Sequence, residues 1–303
     1  MPIFTVRHVT TYRYQRPMAF GEHRLMLRPR ESYDQRLIDW HLEISPKPAS
    51  IRWINDIFGN TVGLARFDGK AEELRFESEI AVEHTPQNTP DFEIDKAALV
   101  YPFAYDASEA PDLAPWLALS EADQNPAVAT WAKKLLLARR KMETGKLLMA
   151  LNNAIKESFV YVRRPEAGTQ TPGQTLALGR GTCRDFAVLM IGAARNLGMA
   201  ARFVSGYVYV PSRDRAEIRG GGSTHAWCQV YLPGAGWIDF DPTNAIVGNR
   251  ELIRVAVARE PLQAVPISGT YEGEREDASG LEVEVLVGRK AELLARSGVA
   301  AGR

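Results

Sequence analysis

The sequence contains little cysteine: Cys183 and Cys228 are the only two in 303 residues. Two cysteines cannot form the disulfide framework of a small secreted protein. In a chain without such a framework, isolated cysteines raise the question of whether one of them is a catalytic thiol. A buried structural residue is nevertheless the commoner explanation for either cysteine taken alone.

The chain also lacks an excess of charge of either sign. Lys plus Arg and Asp plus Glu both number 37, and the formal net charge is +0. Such a balance does not favour the basic surfaces that bind nucleic acids or anionic membranes. No run approaches the ~20 apolar residues that span a bilayer, and the N-terminus MPIFTVRHVTTYRYQRP alternates instead of forming a signal peptide. We therefore expect a cytoplasmic protein without nucleic-acid or membrane partners.

The first 85 residues have the pattern of antiparallel strands. Apolar residues occupy alternate positions at 38, 40, 42 and 44 and at 74, 76, 80 and 82, with charged or polar residues at 39, 41, 43, 73, 75, 77 and 79. Successive side chains of a strand point to opposite sides, so this pattern predicts half-solvated sheets. We predict an antiparallel β-sandwich or open barrel over residues 1–85.

The rest of the chain predicts an α+β core behind a connecting segment. Residues 86–125 contain five prolines and are assigned to the connection between domains. Helical spacing then predicts helices from Asn125 and near 145–158, and strands follow further on. We assign 126–287 to the core and 288–303 to a weakly ordered tail.

The sequence also predicts the structure of two further segments of this core. Residues 165–175 are rich in Gly, Thr, Pro and Gln and are predicted to form a loop. Near the end, GTYEG and LEVEVLV predict one more pair of strands.

Cys183 occupies a position that would activate a thiol. Thr182-Cys183-Arg184-Asp185 has the pattern of a helix capping box, with Thr182 as the N-cap residue and Asp185 three residues later. The apolar residues that follow predict a buried helix ending at Gly198. A thiolate in the first turn is stabilised by the helix dipole and free N–H groups, and Arg184 adds positive charge.

A base and a carboxylate follow on a predicted hairpin. His225 opens the strand HAWCQVYL, and Asp241 ends the partner strand WIDFD. The other four histidines lie in the N-terminal part of the chain: His8, His23, His41 and His84. A nucleophile, a base and an orienting carboxylate are the three groups that nucleophilic acyl transfer requires.

Each of these residues also has a simpler explanation. Asp185 caps a helix, Asp241 before Pro242 is ordinary turn chemistry, and Asp239 is a competing carboxylate on the same strand. A zinc site built on Cys183, His225 and Cys228 would lack a convincing fourth ligand, and Cys228 points away from His225 on an extended strand. We expect no metal.

The combined segments carry a family resemblance. GTCRDFAVLMIGAARNLGMAARFVSGY followed by STHAWCQVYLPGAGWIDFDPTN resembles the core of the transglutaminase-like superfamily. Upstream, HVTTYRY, LMLRPR and NDIFGN resemble the N-terminal region of many bacterial members. The resemblance implies a papain-like core with Cys183 as nucleophile, His225 as base and Asp241, rather than Asp239, orienting the histidine.

The resemblance also implies an activity. It implies acyl transfer on an amide or peptide bond of a protein or peptide substrate, through a thioacyl-enzyme and without a cofactor. The acceptor would be water in a peptidase or amidase and an amine in a protein-glutamine transglutaminase. Two alternatives stay open: a non-catalytic binding or assembly module that has kept the fold, and a thioester-dependent acyltransferase.

Two structural expectations follow from these assignments. The oxyanion should be met by the Cys183 N–H and a second donor, for which Tyr161 and Gln174 are candidates. A simple four-residue turn PGAG would place His225 and Asp241 on opposite faces of the hairpin. We therefore predict a bulge or an asymmetric loop near 233–237, where Gly234 and Gly236 tolerate positive φ.

Overall fold

A computed structural model describes residues 2–85, 93–136, 141–164, 168–210 and 223–289. The predicted weakly ordered tail therefore lies almost entirely outside the described residues. The fold is α+β, as predicted, with mainly antiparallel sheets and a helical layer on the core.

The N-terminal part contributes three strands to each of two four-stranded sheets. The segments in which apolar and polar residues alternate form the long strands of these sheets. Each long strand has one face packed and the other face partly solvated. The N-terminal strands are β1 (Ile3–Ala19), β2 (His23–Leu25), β3 (Gln35–Ser45), β4 (Ser50–Asn55), β5 (Thr61–Arg66) and β6 (Lys70–His84).

The middle of the chain is mainly helical, with short strands between the helices. The elements are β7 (Val100–Tyr101), α1 (Ala110–Leu117), α2 (Pro126–Lys134), β8 (Met142–Glu143), α3 (Thr144–Ser158), β9 (Val160–Tyr161), α4 (Pro172–Leu178), β10 (Arg180–Gly181) and α5 (Cys183–Asn196). Helix α1 and a 3-10 turn at Glu121–Gln124 lie in the segment predicted as a connection.

Helix α4 corrects the second part of the loop predicted at 165–175, because the helix begins at Pro172. Residues 168–171 lie outside helices and strands, as predicted, and 165–167 lie outside the described residues. Thr171 caps the helix by accepting from the N–H of Gln174, and the Gln174 side chain accepts from the N–H of Thr171. Pro172 sits at the first helical position, where its missing N–H costs nothing. The composition suggested a loop, but the capping box was present in the sequence.

The core sheet has five strands in the order β14-β13-β12-β11-β15. Its members are β11 (Ala201–Val208), β12 (His225–Leu232), β13 (Gly236–Asp241), β14 (Ile246–Val247) and β15 (Leu252–Ala258). Helix α5 packs on β12, and their apolar side chains form the main hydrophobic core with residues of α2 and α3.

The end of the chain confirms one predicted strand, since LEVEVLV lies in the last strand, and corrects the predicted pair. The chain continues with β16 (Ile267–Ser268) and β17 (Ala278–Arg289), which do not pair with each other. Strand β16 pairs with β2, and β17 pairs along β1, giving the sheets β16-β2-β5-β4 and β17-β1-β6-β3. The chain therefore returns to the N-terminal sheets, although the sequence analysis placed these residues in the core.

Two amide side chains join the N-terminal part to the edge strand β15. Gln35 donates to the carbonyl of Arg254 at 2.8 Å and accepts from its N–H at 2.9 Å. Asn60 does the same with Val257, at 2.7 and 2.9 Å. These side chains form hydrogen bonds with backbone N–H and C=O groups that an edge strand would otherwise leave unpaired.

Gly206 sets the close packing of β11 against β15. A Cβ at this position would lie 2.0 Å from the Ile253 carbonyl oxygen and 2.8 Å from the Trp227 ring. We expect G206A to lower the free energy of unfolding by about 3 kcal/mol, because neither neighbour can move freely. Chemical denaturation would measure the change.

The control for this prediction is Gly145 in α3, where an added Cβ meets nothing within 4 Å. We expect G145A to be neutral or stabilising by up to about 1 kcal/mol. A G206A protein as stable as G145A would contradict the close approach.

Candidate active site

Cys183 is the first residue of α5, as predicted. Thr182 caps the helix, and its own N–H donates to the Asp185 carboxylate at 2.8 Å, which completes the capping box. The cysteine side chain is almost fully buried. The helix start therefore holds the sulfur at a fixed point beside the core sheet.

Asp185 has more partners than a simple cap requires. It accepts from Arg164 Nε at 2.9 Å and Nη2 at 3.1 Å, and from the N–H of Gln170 at 2.7 Å. The carboxylate is completely buried, so these donors compensate its lost hydration. Asp185 thus fixes the segments preceding α4 to the start of α5.

His225 and Asp241 form a buried pair on neighbouring strands. His225 Nε2 lies 2.8 Å from Asp241 Oδ2. The same carboxylate accepts from the Asn244 side chain at 2.8 Å and from the Thr243 N–H at 2.9 Å. Sequence reasoning missed these last two residues, although both stand in the DPTN turn.

The hairpin loop explains how this pair forms. Leu232 pairs with Gly236, so three residues rather than four connect β12 to β13. Gly234 and Gly236 both have positive φ, at 83° and 73°. The predicted asymmetric loop is confirmed, and it puts His225 and Asp241 on the same face of the sheet.

The second nitrogen of His225 is left for the cysteine. Nδ1 is buried without a well-aligned hydrogen bond. The Cys183 sulfur and this ring nevertheless shift each other's pKa, which indicates that the sulfur lies close to the imidazole. A loose contact between nucleophile and base is usual before substrate is bound.

The electrostatics of the site favour an ion pair. Burial raises the pKa of Cys183, but the hydrogen bond and charge of His225, with the charge of Arg184 and the Ala226 N–H, hold that pKa below its ordinary value. Burial lowers the pKa of His225, but the Asp241 carboxylate and the Cys183 thiolate raise it to about 10. Both shifts favour a thiolate facing an imidazolium over the neutral pair.

The Asp239 carboxylate forms hydrogen bonds with residues other than His225. It accepts from Trp227 Nε1 at 2.6 Å and from Arg254 Nη1 at 3.1 Å. The Trp227 ring is stacked at 26° to the His225 ring, with centroids 6.0 Å apart. Asp239 thus fixes the indole that supports the imidazole, while Asp241 binds the imidazole itself.

Cys228 does not share the face of the strand on which His225 lies. It lies on the other face of β12, and its thiol donates to the Phe240 carbonyl at 3.4 Å. Burial, with Asp239 and Asp241 nearby, raises its pKa well above the ordinary value. Among the described residues, no group of three His, Cys, Asp or Glu side chains could hold a metal ion.

The two predicted oxyanion donors have different surroundings. The carbonyl oxygen of the Gln174 side chain is used in the exposed cap of α4. Tyr161 lies in β9, opposite Gly181 in β10, and its ring contacts Phe186. Tyr161 and Gln174 both stay predictions as oxyanion donors, because the cap uses the carbonyl oxygen of Gln174 and not its NH2 group.

Family comparisons agree with this architecture. The bacterial transglutaminase-like N-terminal region matches residues 4–83, and the transglutaminase-like superfamily matches residues 130–242. The second range contains Cys183, His225 and Asp241. Residues 130–242 therefore belong to the transglutaminase-like superfamily, and residues 4–83 match the bacterial N-terminal region that precedes its core.

Individual relatives extend over nearly the whole chain. An uncharacterized protein of Mycobacterium tuberculosis is 28% identical over 296 residues, which is 93% of this chain and 92% of its own. One from Mycobacterium leprae is 28% identical over 94% of this chain and 98% of its own. The crystal structure of a candidate cysteine protease from Cytophaga hutchinsonii has the same fold, with a TM-score of 0.70 and 20% identity over 94% of this chain and 90% of that one.

No helix in the described part of the chain is long and apolar enough to cross a bilayer. The cytoplasmic location stays a prediction.

The Asp241 carboxylate should control the reactivity of Cys183. In D241N, His225 loses the charge that raises its pKa, so the imidazolium disappears at lower pH and the thiolate loses its partner. We expect the midpoint of the alkylation rate against pH to rise by about 1–3 units. Iodoacetamide labelling of Cys183, followed by mass spectrometry across pH, would measure it.

The matched control for this prediction is the exposed His41 in the N-terminal sheet. We expect H41A to alkylate at the wild-type rate, because the N-terminal part supplies no catalytic group. A tenfold loss in H41A, or an unshifted curve in D241N, would contradict these roles.

Proposed function

We propose that this protein is a cysteine-dependent amidase or peptidase. The observation that carries the proposal is the buried trio, in which the Cys183 sulfur interacts with His225 and Asp241 binds the far side of that ring at 2.8 Å. This arrangement supplies a nucleophile, a proton carrier and an orienting carboxylate.

The proposed acylation step forms one bond and breaks another. The Cys183 thiolate attacks the carbonyl carbon of an amide, and the carbonyl oxygen becomes an oxyanion. When the tetrahedral intermediate collapses, the C–N bond breaks, and His225 gives its proton to the departing amine. The products of this step are a free amine, a thioester on Cys183 and a neutral imidazole.

The proposed deacylation step restores the enzyme. Neutral His225 takes a proton from water, whose oxygen attacks the thioester carbon. The C–S bond breaks, and a carboxylic acid leaves while the thiolate and imidazolium form again. Asp241 stays ionised throughout and stabilises the imidazolium in each half of the cycle.

Water is the acceptor that we favour over an amine. The structurally similar Cytophaga hutchinsonii protein is described as a candidate cysteine protease, which supports hydrolysis. A primary amine attacking the same thioester would make the protein a transglutaminase. A thioester donor in place of the amide would make it an acyltransferase, and absence of a thioacyl form would favour a binding module.

The thioacyl-enzyme can be tested with p-nitrophenyl acetate. We expect a burst of one nitrophenolate per active site, with one acetyl group found on Cys183 by mass spectrometry at acidic pH. C183A and H225A should lose the burst, and their steady-state rates should fall on the order of 10³-fold or more.

The other cysteine provides the control. C228A should keep the burst, because the Cys228 thiol is fully buried and has a raised pKa. Adding a primary amine then separates the acceptors: an unchanged acid product supports the hydrolase, and an amide product supports the transglutaminase. An acetyl group on any residue other than Cys183 would contradict the mechanism.

A further inference from the structure

A cavity of about 180 Å³ lies between the core and the N-terminal sheet. Its core wall includes Arg184 and Thr224, the immediate chain neighbours of Cys183 and His225. Its opposite wall is formed by side chains of β1 and β17. A group bound in this cavity would therefore contact residues that directly adjoin Cys183 and His225 in the chain.

Arg184 gives this cavity a positive charge. The described residues offer its guanidinium one side-chain hydrogen bond, to Thr224 Oγ1 at 3.5 Å, and no ion pair. A half-buried guanidinium without a carboxylate partner is poorly compensated, and a planar oxyanion matches its geometry.

The other titratable groups of the cavity are neutral. Burial lowers the pKa of His8 to about 4, and its nitrogens contact the Tyr207 hydroxyl at 2.9 Å and the Thr10 hydroxyl at 3.0 Å. Burial also raises the pKa of Tyr12, which keeps its hydroxyl protonated at neutral pH. Arg184 is therefore the one charged side chain among the described lining residues.

The N-terminal sheet adds an apolar surface to the same cavity. Leu281 stands opposite Tyr12 and Val283 opposite Thr10, so all four side chains lie on one face. Leu281 is 62% exposed and Val283 is 40% exposed. These two side chains are available to pack against an aliphatic group.

We propose that this cavity is a specificity subsite for an acidic substrate residue, in which Arg184 pairs with the carboxylate and Leu281 and Val283 pack on its aliphatic stem. The substrate class is therefore a peptide or amide with an aspartyl or glutamyl group beside the bond that is cut. This inference rests on the proposed function, because the subsite serves the same Cys183.

Protection of Cys183 from iodoacetamide tests the subsite without requiring turnover. The probes are N-acetylglutamate and N-acetylglutamine, which have similar shape and differ in charge. We expect N-acetylglutamate to halve the alkylation rate at a concentration at least fivefold lower than N-acetylglutamine. Inorganic phosphate has charge but no aliphatic stem and should protect poorly.

Three variants assign the effect to named residues. In R184Q, the preference for N-acetylglutamate should disappear, while R184K should keep part of it. L281E introduces a carboxylate into the cavity wall and should also abolish the preference. L286E is the control, since Leu286 lies on the same strand, is 56% exposed and faces the other side of the sheet.

The preference, rather than the absolute rate, is the quantity to compare, because Arg184 also lowers the pKa of Cys183. Equal protection by both probes, no protection by either, or an unchanged preference in R184Q would overturn the subsite. Repeating the assay at pH 9 separates the subsite from the proposed function. Slow alkylation of Cys183 at pH 7 would count against an activated thiol and so against the proposed function. The preference between the two probes at pH 9 would still report on the subsite.

Discussion

The short loop between β12 and β13 is the constraint on which the site depends. Three residues connect Leu232 to Gly236, and this number decides which face of the sheet Asp241 presents. One residue more would turn the carboxylate away from His225 and bring a different side chain to the imidazole. The contact between Asp241 and His225, and with it the raised pKa of the imidazole, follows from that register.

The N-terminal part of the chain supports the same histidine through buried contacts. Arg254 contacts Asp34 of the N-terminal part and Asp239 of the core sheet. Asp239 in turn binds Trp227, whose ring stacks on His225. Because each charge in this series is buried and paired, loss of one partner would leave the next uncompensated. The N-terminal part therefore belongs to the framework of the candidate site, because its Asp34 is a partner of Arg254.

Local sequence patterns predicted most of this structure. The features that they missed depend on pairing between residues that are distant in sequence. The capping box at Thr182 depends on neighbouring residues, so the start of α5 and the position of Cys183 were visible in the sequence. The loop at 233–237 followed from the alternation of strand residues. The return of β17 to β1 depends on pairing such as Val6 with Val287, which no local pattern encodes. The Arg184 cavity was equally hidden, because its walls come from distant parts of the chain.

The pairing of β17 with β1 also constrains the order of folding. Strand β1 lies between β6 and β17, so its sheet stays incomplete until nearly the whole described chain has been synthesised. Contacts this distant in sequence form slowly, because a very long loop must close first. During synthesis one edge of β1 is open to other chains, and the core emerges before that edge is covered. A chaperone that shields β1 should raise the yield of this protein more than one that acts on the core.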